Sequence, residues 1–152
     1  MAAAGRIDAF RAWPPGFRAL LALDRTLSEG PLEHSLLELV RLRASRENGC
    51  AFCSDLHERA ASTAGVADAR LAALTDWSGS AHFDARERAA LALTDALARP
   101  AAGVPDGLLE DARKAFSSEE LCQLVYVIAT IHAWNRVAVA DDTPFPGRKV
   151  RA

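Results

Sequence analysis

The chain has little of what usually announces a charged partner or a membrane. Charge of neither sign dominates: 18 Lys and Arg stand against 20 Asp and Glu, a net charge of −2 with His neutral. A nucleic-acid surface or an anionic-membrane patch draws on a basic excess, so neither partner is expected. The basic residues that do cluster, Arg148, Lys149 and Arg151, fall in a short tail where solvation accounts for them. Long apolar runs are also missing. The strongest, "LVYVIATI" at 124–131, is far short of the ~20 residues that span a bilayer. The opening "MAAAGRIDAFRAWPPG" carries Arg6, Asp8 and Arg11 and no apolar stretch of signal-peptide length, so no secretory signal is expected. Cysteine is scarce and odd in number, at three, which argues against a disulfide-stapled secreted scaffold. The expected setting is a reducing cytoplasm.

Period-two alternation, internal repeats and low-complexity segments beyond a general alanine richness are absent too, so strands are not indicated. What remains is helical spacing, in a chain half hydrophobic and long enough for one core. A first helix is read at 17–27, entered after Pro14-Pro15-Gly16 and ended near Gly30-Pro31. A second spans 33–47, with Leu36, Leu39, Val40 and Leu42 toward the core, and Asn48-Gly49 breaks it. Further helices follow at about 50–63, 67–76, 85–98, 105–116 and 119–140. Asp84 with Glu87 forms a capping box for the fifth, and Ser117 or Ser118 caps the last. The expected architecture is an all-α single domain of about seven helices at 16–140, with an N-terminal extension at 1–15 and a C-terminal tail at 141–152.

Chemistry concentrates in "ENGCAFCSDLH", residues 47–57. At ~100° per residue, Cys50, Cys53 and His57 fall within about 60° of one helix face. Cys50 follows the Asn-Gly break, at the helix start, where unpaired N–H groups and the positive dipole end stabilise a thiolate. Two thiols at i and i+3 can attack and resolve in turn. His57 is one turn beyond Cys53, placed to take or share its proton. Glu38 stands on the preceding helix with Ser45 on the same face, and across a short helical hairpin a carboxylate there could orient the imidazole.

Three readings of this stretch stand side by side: a redox dithiol, a zinc site of Cys50, Cys53, His57 and Glu38, or two thiols packed as small hydrophobes. Structural zinc normally brings a second CxxC or HxxxH clamp, which the chain lacks.

"ELVRLRASRENGCAFCSDLHERAA", residues 38–61, resembles the signature of AhpD-like alkylhydroperoxidases in the carboxymuconolactone decarboxylase superfamily. In that signature a glutamate precedes a CxxC by twelve residues and a histidine follows its second cysteine by four. Glu38, Cys50, Cys53 and His57 match position by position. "LRAS", Asn48 and the later "HAWNR" at 132–136 also look like family features. The resemblance implies an all-α fold assembled as a homotrimer or homohexamer. It implies a peroxidase that reduces organic hydroperoxides through a CxxC disulfide. An external dithiol, in some members a lipoylated protein, resets the pair, and no bound cofactor or metal is implied. It makes Cys53 the attacking thiol and Cys50 the resolving one, with Glu38 and His57 as the proton relay. The helix-start argument favours Cys50 as the more acidic thiol. The family assignment is preferred because His57 is the i+4 neighbour of Cys53 and can act as its base. Where some members carry a second histidine inside the CxxC, this chain has Phe52, which makes the pocket drier and raises thiol pKa. Contrasting readings are a metal-binding or structural helical module, or a superfamily enzyme acting on a lactone acid.

Elsewhere, Cys122 is expected to be buried and structural in the long apolar helix. His132, Asn135 and Arg136 are expected to hydrogen-bond across a helix or subunit interface rather than line the pocket. Trp134 is expected in the core or an interface, and His34 and His82 in solvent. Core packing is the first expectation for Trp13, Phe17 and Trp77, with a hydrophobic entrance as the alternative. Arg41 and Arg43 are expected to make surface or interface ion pairs.

Overall fold

A computed structural model describes residues 7–141. Among these are seven α-helices: α1 (Pro14–Ser28), α2 (His34–Glu47), α3 (Ala51–Thr63), α4 (Asp68–Ala73), α5 (Ala85–Leu97), α6 (Asp106–Ala115) and α7 (Ser118–Ala140). Two short 3-10 segments, Leu74–Gly79 and Pro100–Ala102, join them, and the only sheet-like pairing among the described residues is an isolated bridge between Ile7 and Asp141. The all-α reading is correct. The C-terminal tail, Asp141 apart, and residues 1–6 lie outside the described residues. None of the described helices is long and apolar enough to cross a membrane.

The helix ends follow local chemistry. Pro14 and Pro15 occupy the first turn of α1, where a missing N–H costs nothing, so α1 starts three residues before the expected boundary. Asp84 and Glu87 close a capping box on α5, and Ser117 and Glu120 close one on α7. The helix expected at 67–76 stops early: after Ala73 the chain tightens to 3-10 geometry and Asp76 leaves helical angles. The carbonyl of Thr75 is taken by the Arg43 guanidinium at 3.0 Å, so a tertiary partner replaces the helical one.

Helix α2 is the centre of the molecule and packs against α3, α5 and α7. All ten residues from Leu36 to Ser45 are buried. Leu36, Leu37 and Val40 join a cluster with Leu93, Leu124 and Ile128, while Leu39 and Leu42 join another with Leu71, Leu74 and Leu91. The expected core face of α2 is therefore correct but incomplete, because its charged residues are buried as well. Arg41 and Arg43 are 4 % and 8 % exposed, not on the surface. Each is inside because a carboxylate meets it there. Arg43 grips Asp95 with two hydrogen bonds, 2.8 and 3.1 Å, and Trp77 Nε1 donates to the same Asp95.

Cys122 also departs from expectation: it is a free, exposed thiol. Although α7 is apolar on most sides, its neighbours cover only part of it, leaving Cys122, Val125 and Tyr126 facing out. His34 and His82 are exposed, as expected.

The turn from α1 to α2 is clamped by α7. Gln123 accepts the Leu32 N–H at 2.9 Å and donates to the Leu27 carbonyl at 2.7 Å, closing two buried backbone groups. Its amide lies so close to Gly30 that any Cβ there would collide with it. A leucine at 123 keeps the volume but leaves both backbone groups without partners. Gln123→Leu is therefore expected to destabilise the fold by about 2–4 kcal/mol, read from urea midpoints.

Candidate active site

Helix α3 begins where Asn48 and Gly49 end α2. Gly49 takes a φ of +65°, a left-handed conformation that favours glycine, and the chain turns directly into Cys50 at the N-cap. The Cys50 sulfur accepts the Cys53 N–H at 3.3 Å, and the two sulfurs are joined as a disulfide across a Cα–Cα distance of 5.3 Å. Both cysteines are buried.

Opposite them, α2 supplies a carboxylate. Glu38 Oε2 lies 2.7 Å from His57 Nδ1, and Glu38 Oε1 accepts from Arg41 Nη1 at 2.7 Å. Arg41 also donates through Nη2 to Asp24 Oδ1 at 3.1 Å and to Ser28 Oγ at 3.0 Å, both on α1. Burial pushes the Glu38 carboxyl up. The hydrogen bond and charge of His57, with those of Arg41, outweigh it and hold Glu38 below the usual carboxylate range. A carboxylate only accepts, so His57 carries its proton on Nδ1 and keeps Nε2 for the pocket side.

That pocket, about 220 Å³, is lined by Cys53 and His57, by Asp24, and by an apolar wall including Phe10, Phe17, Phe52, Leu56 and Trp134. Cys50 is not among its lining residues. All four expected site residues are thus brought together: Cys53 and His57 at the pocket, Cys50 bonded behind Cys53, and Glu38 buried behind His57. Among the described residues, no group of three or more His, Cys, Asp or Glu side chains is arranged to hold a metal ion. Of the three aromatic residues weighed as an entrance, only Phe17 reaches this pocket. Trp13 is exposed and Trp77 packs in the core with Leu71 and Leu74.

Asp24, Phe10 and Arg41 went unrecognised as parts of the site. Asp24 and Phe10 lie outside the motif and reach it only through tertiary packing, so no local spacing could have marked them. Arg41 was visible three residues after Glu38, a spacing that puts both on one helix face.

A second buried polar chain fixes the start of α3. Asn48 Nδ2 donates to His132 Nδ1 at 2.7 Å and to Asn135 Oδ1 at 2.8 Å, and Asn135 donates to Ser45 Oγ at 3.0 Å. Burial, helped by the Arg136 charge, lowers the His132 pKa, which suits an imidazole that must accept at Nδ1. His132 and Asn135 therefore bond across helices, as expected. Arg136 is exposed and donates to the His132 carbonyl at 2.9 Å.

Residues 14–96 match the family described as Carboxymuconolactone decarboxylase family. The chain belongs to that family. The uncharacterized protein YdfG of Bacillus subtilis is 29% identical over 136 residues, covering 89% of this chain and 92% of YdfG. A solved structure from Agrobacterium tumefaciens, of a protein of unknown function described as a candidate AhpD antioxidant defence protein, is 35% identical. It superimposes with a TM-score of 0.88 over 94% of this chain and 99% of its own. The debrominase Bmp8 shares the family's fold with a TM-score of 0.78 at 21% identity, over 88% of this chain and 73% of Bmp8. This chain shares its all-α, AhpD-like architecture with those two solved structures.

After His57, Arg41 is the second group that holds the Glu38 carboxyl low. With its pKa lowered on folding, Glu38 adds stability that is present above the ordinary carboxyl range and lost as pH falls through the lowered folded value. Arg41→Met removes one source of that lowering. The variant is expected to lose about 3 kcal/mol or more at neutral pH, and to begin its acid unfolding at higher pH than the parent, by urea titration across pH.

Proposed function

We propose that this protein is a thiol-dependent peroxidase that reduces organic hydroperoxides. The observation that carries the reading is a pair of cysteines already within disulfide reach, one of them at a small apolar pocket beside an imidazole backed by a buried carboxylate. In the reduced form, His57 Nε2 takes the Cys53 proton while Glu38 steadies the imidazolium through Nδ1. The thiolate attacks the terminal peroxide oxygen; the O–O bond breaks and the alkoxide leaves as alcohol after taking a proton. Cys53 is then a sulfenic acid. Cys50 attacks it, water leaves, and the disulfide forms. One hydroperoxide and two thiols become one alcohol, one water and one disulfide.

The position of Cys53 at the pocket and of Cys50 behind it supports Cys53 as the attacking thiol. Cys50, at the helix start with its sulfur on an N–H, is the more stabilised anion and the better leaving group when an external dithiol attacks the disulfide at Cys53. That donor is proposed to be a dithiol protein, such as a lipoylated one, in the cytoplasm. A homotrimer or homohexamer is proposed for the assembly, and no metal or bound cofactor takes part. A lactone acid suits the pocket less well: the acidic lining residue Asp24 would face its carboxylate, and its Arg41 partner is already shared with Glu38.

Intact mass and thiol counting test this directly. One equivalent of cumene hydroperoxide added to reduced protein is expected to remove two thiols and about two mass units, mapped to Cys50 and Cys53. Cys53→Ser is expected to abolish turnover, and Cys50→Ser to stop at a sulfenic acid that a dimedone probe traps. Full turnover by Cys53→Ser would overturn the assignment, and unreacted thiols in the parent would overturn the peroxidase reading.

A further inference from the structure

Phe10 joins the α1 residues Phe17 and Leu21 on the outer wall of the pocket, and it is carried by residues 7–13, a strap that runs from the C-terminal end of α7 to the start of α1. Its fastening is specific. Ile7 pairs with Asp141, whose carboxylate is almost wholly buried and accepts the Phe10 N–H at 3.1 Å. Asp8 then turns the chain, its side chain accepting the Arg11 N–H and its carbonyl the Ala12 N–H, each at 3.0 Å. Arg11, Ala12 and Trp13 are exposed. Phe10 points the other way, packing against the cluster that contains Cys50 and Cys53.

Three rings meet there. Phe10 stacks on Trp134 at 6.2 Å and 12°, and meets Phe17 edge-on at 5.6 Å and 77°; Phe17 meets Trp134 edge-on at 5.8 Å. These same rings line both the Cys53 pocket and a second depression of about 210 Å³ bounded by Trp13, Leu20 and Val137. The trio is therefore the partition between two hollows. The Cys53 side is smaller than the roughly 300–1,000 Å³ usual for drug-sized ligands. Among the described lining residues there is no Lys or Arg to receive a carboxylate or phosphate head group.

We propose that Phe10 is the specificity-determining residue of this site, and that it selects compact hydroperoxides whose flat apolar group lies against the ring trio with the O–O bond at Cys53. The proposal rests on the peroxidase reading and narrows its substrate class. Apolar area and ring faces supply the affinity, while the partition sets the length that fits. Fatty-acid hydroperoxides are disfavoured by chain length and find no cation among the described lining residues.

The test uses the full chain with dihydrolipoamide as reductant, comparing parent, Phe10→Ala and Phe10→Leu, the last as a variant that keeps the strap's apolar anchor. In the parent, kcat/KM is expected to be higher for cumene hydroperoxide than for hydrogen peroxide or linoleic acid hydroperoxide. Phe10→Ala is expected to cut the cumene-to-hydrogen-peroxide ratio about tenfold and to raise the linoleic-to-cumene ratio, as the two hollows merge. Phe10→Leu should fall between the two. Calorimetric binding of cumyl alcohol, which has no peroxide bond, is read in parallel and should weaken in the same order. Unchanged ratios in Phe10→Ala overturn the proposal, as does an equal loss on every substrate. If the parent reduces no hydroperoxide yet binds cumyl alcohol in a Phe10-dependent way, the peroxidase reading fails and the aromatic site stands. If the parent turns over hydroperoxides but Phe10→Leu and Phe10→Ala bind cumyl alcohol as the parent does, the reverse holds.

Discussion

A carboxylate taken out of water must find its charge and hydrogen-bond partners inside the protein, and Glu38 meets that demand with one buried cation and one imidazole N–H. Arg41 holds one oxygen and His57 the other. Because Arg41 is itself buried, it needs further acceptors, and it finds them in Asp24 and Ser28 on α1. The chain of necessity thus runs outward from one buried charge through α2 to α1 and α3. It fixes the ring orientation of His57, and it brings Asp24 to the mouth of the pocket. Replacing the whole set by hydrocarbon would give a comparably packed core, but no polarised imidazole beside Cys53.

The same logic applies on the other side of α2. Arg43 with Asp95, and Ser45 with Asn135 and Asn48, are also buried polar groups satisfied by partners on other helices. A helix with Leu36 to Ser45 all buried cannot be amphipathic in the usual sense, and its polar residues become its tertiary specification. Each reaches a different neighbour: Arg41 reaches α1, Arg43 reaches α5 and Ser45 reaches α7. Register along α2 is therefore set by charge matching as well as by leucine packing.

This explains where the sequence was legible and where it was not. Capping boxes at Asp84 and Ser117, the break at Asn48-Gly49 and the cysteine face of α3 are local signals, and they appear where spacing puts them. The contact between Glu38 and His57 was legible because two helices joined by a short turn must pack together. Arg41 and Arg43 were misread because the mean composition of α2 is charged, and nothing local reveals that Asp24 and Asp95 will arrive from distant segments. Cys122 was misread for the complementary reason: an apolar helix reads as buried all round, but burial depends on how many neighbours reach it. Phe10 was invisible because its placement depends on Asp141, at the far end of the described chain.

The pocket inherits an asymmetry from this arrangement. Its thiol side is carried by α3 and by α2, on which α3 packs and whose residues from Leu36 to Ser45 are all buried. Its outer side is carried by the strap and by α1, which has a single buried residue, Leu27. Elements with few buried contacts open at lower free energy than the core. The side of the pocket formed by Phe10 and α1 therefore opens more readily than the side formed by α2. The Arg41 bond to Asp24 ties α1 to Glu38 through a shared guanidinium, so motion of α1 is coupled to the carboxylate that orients His57.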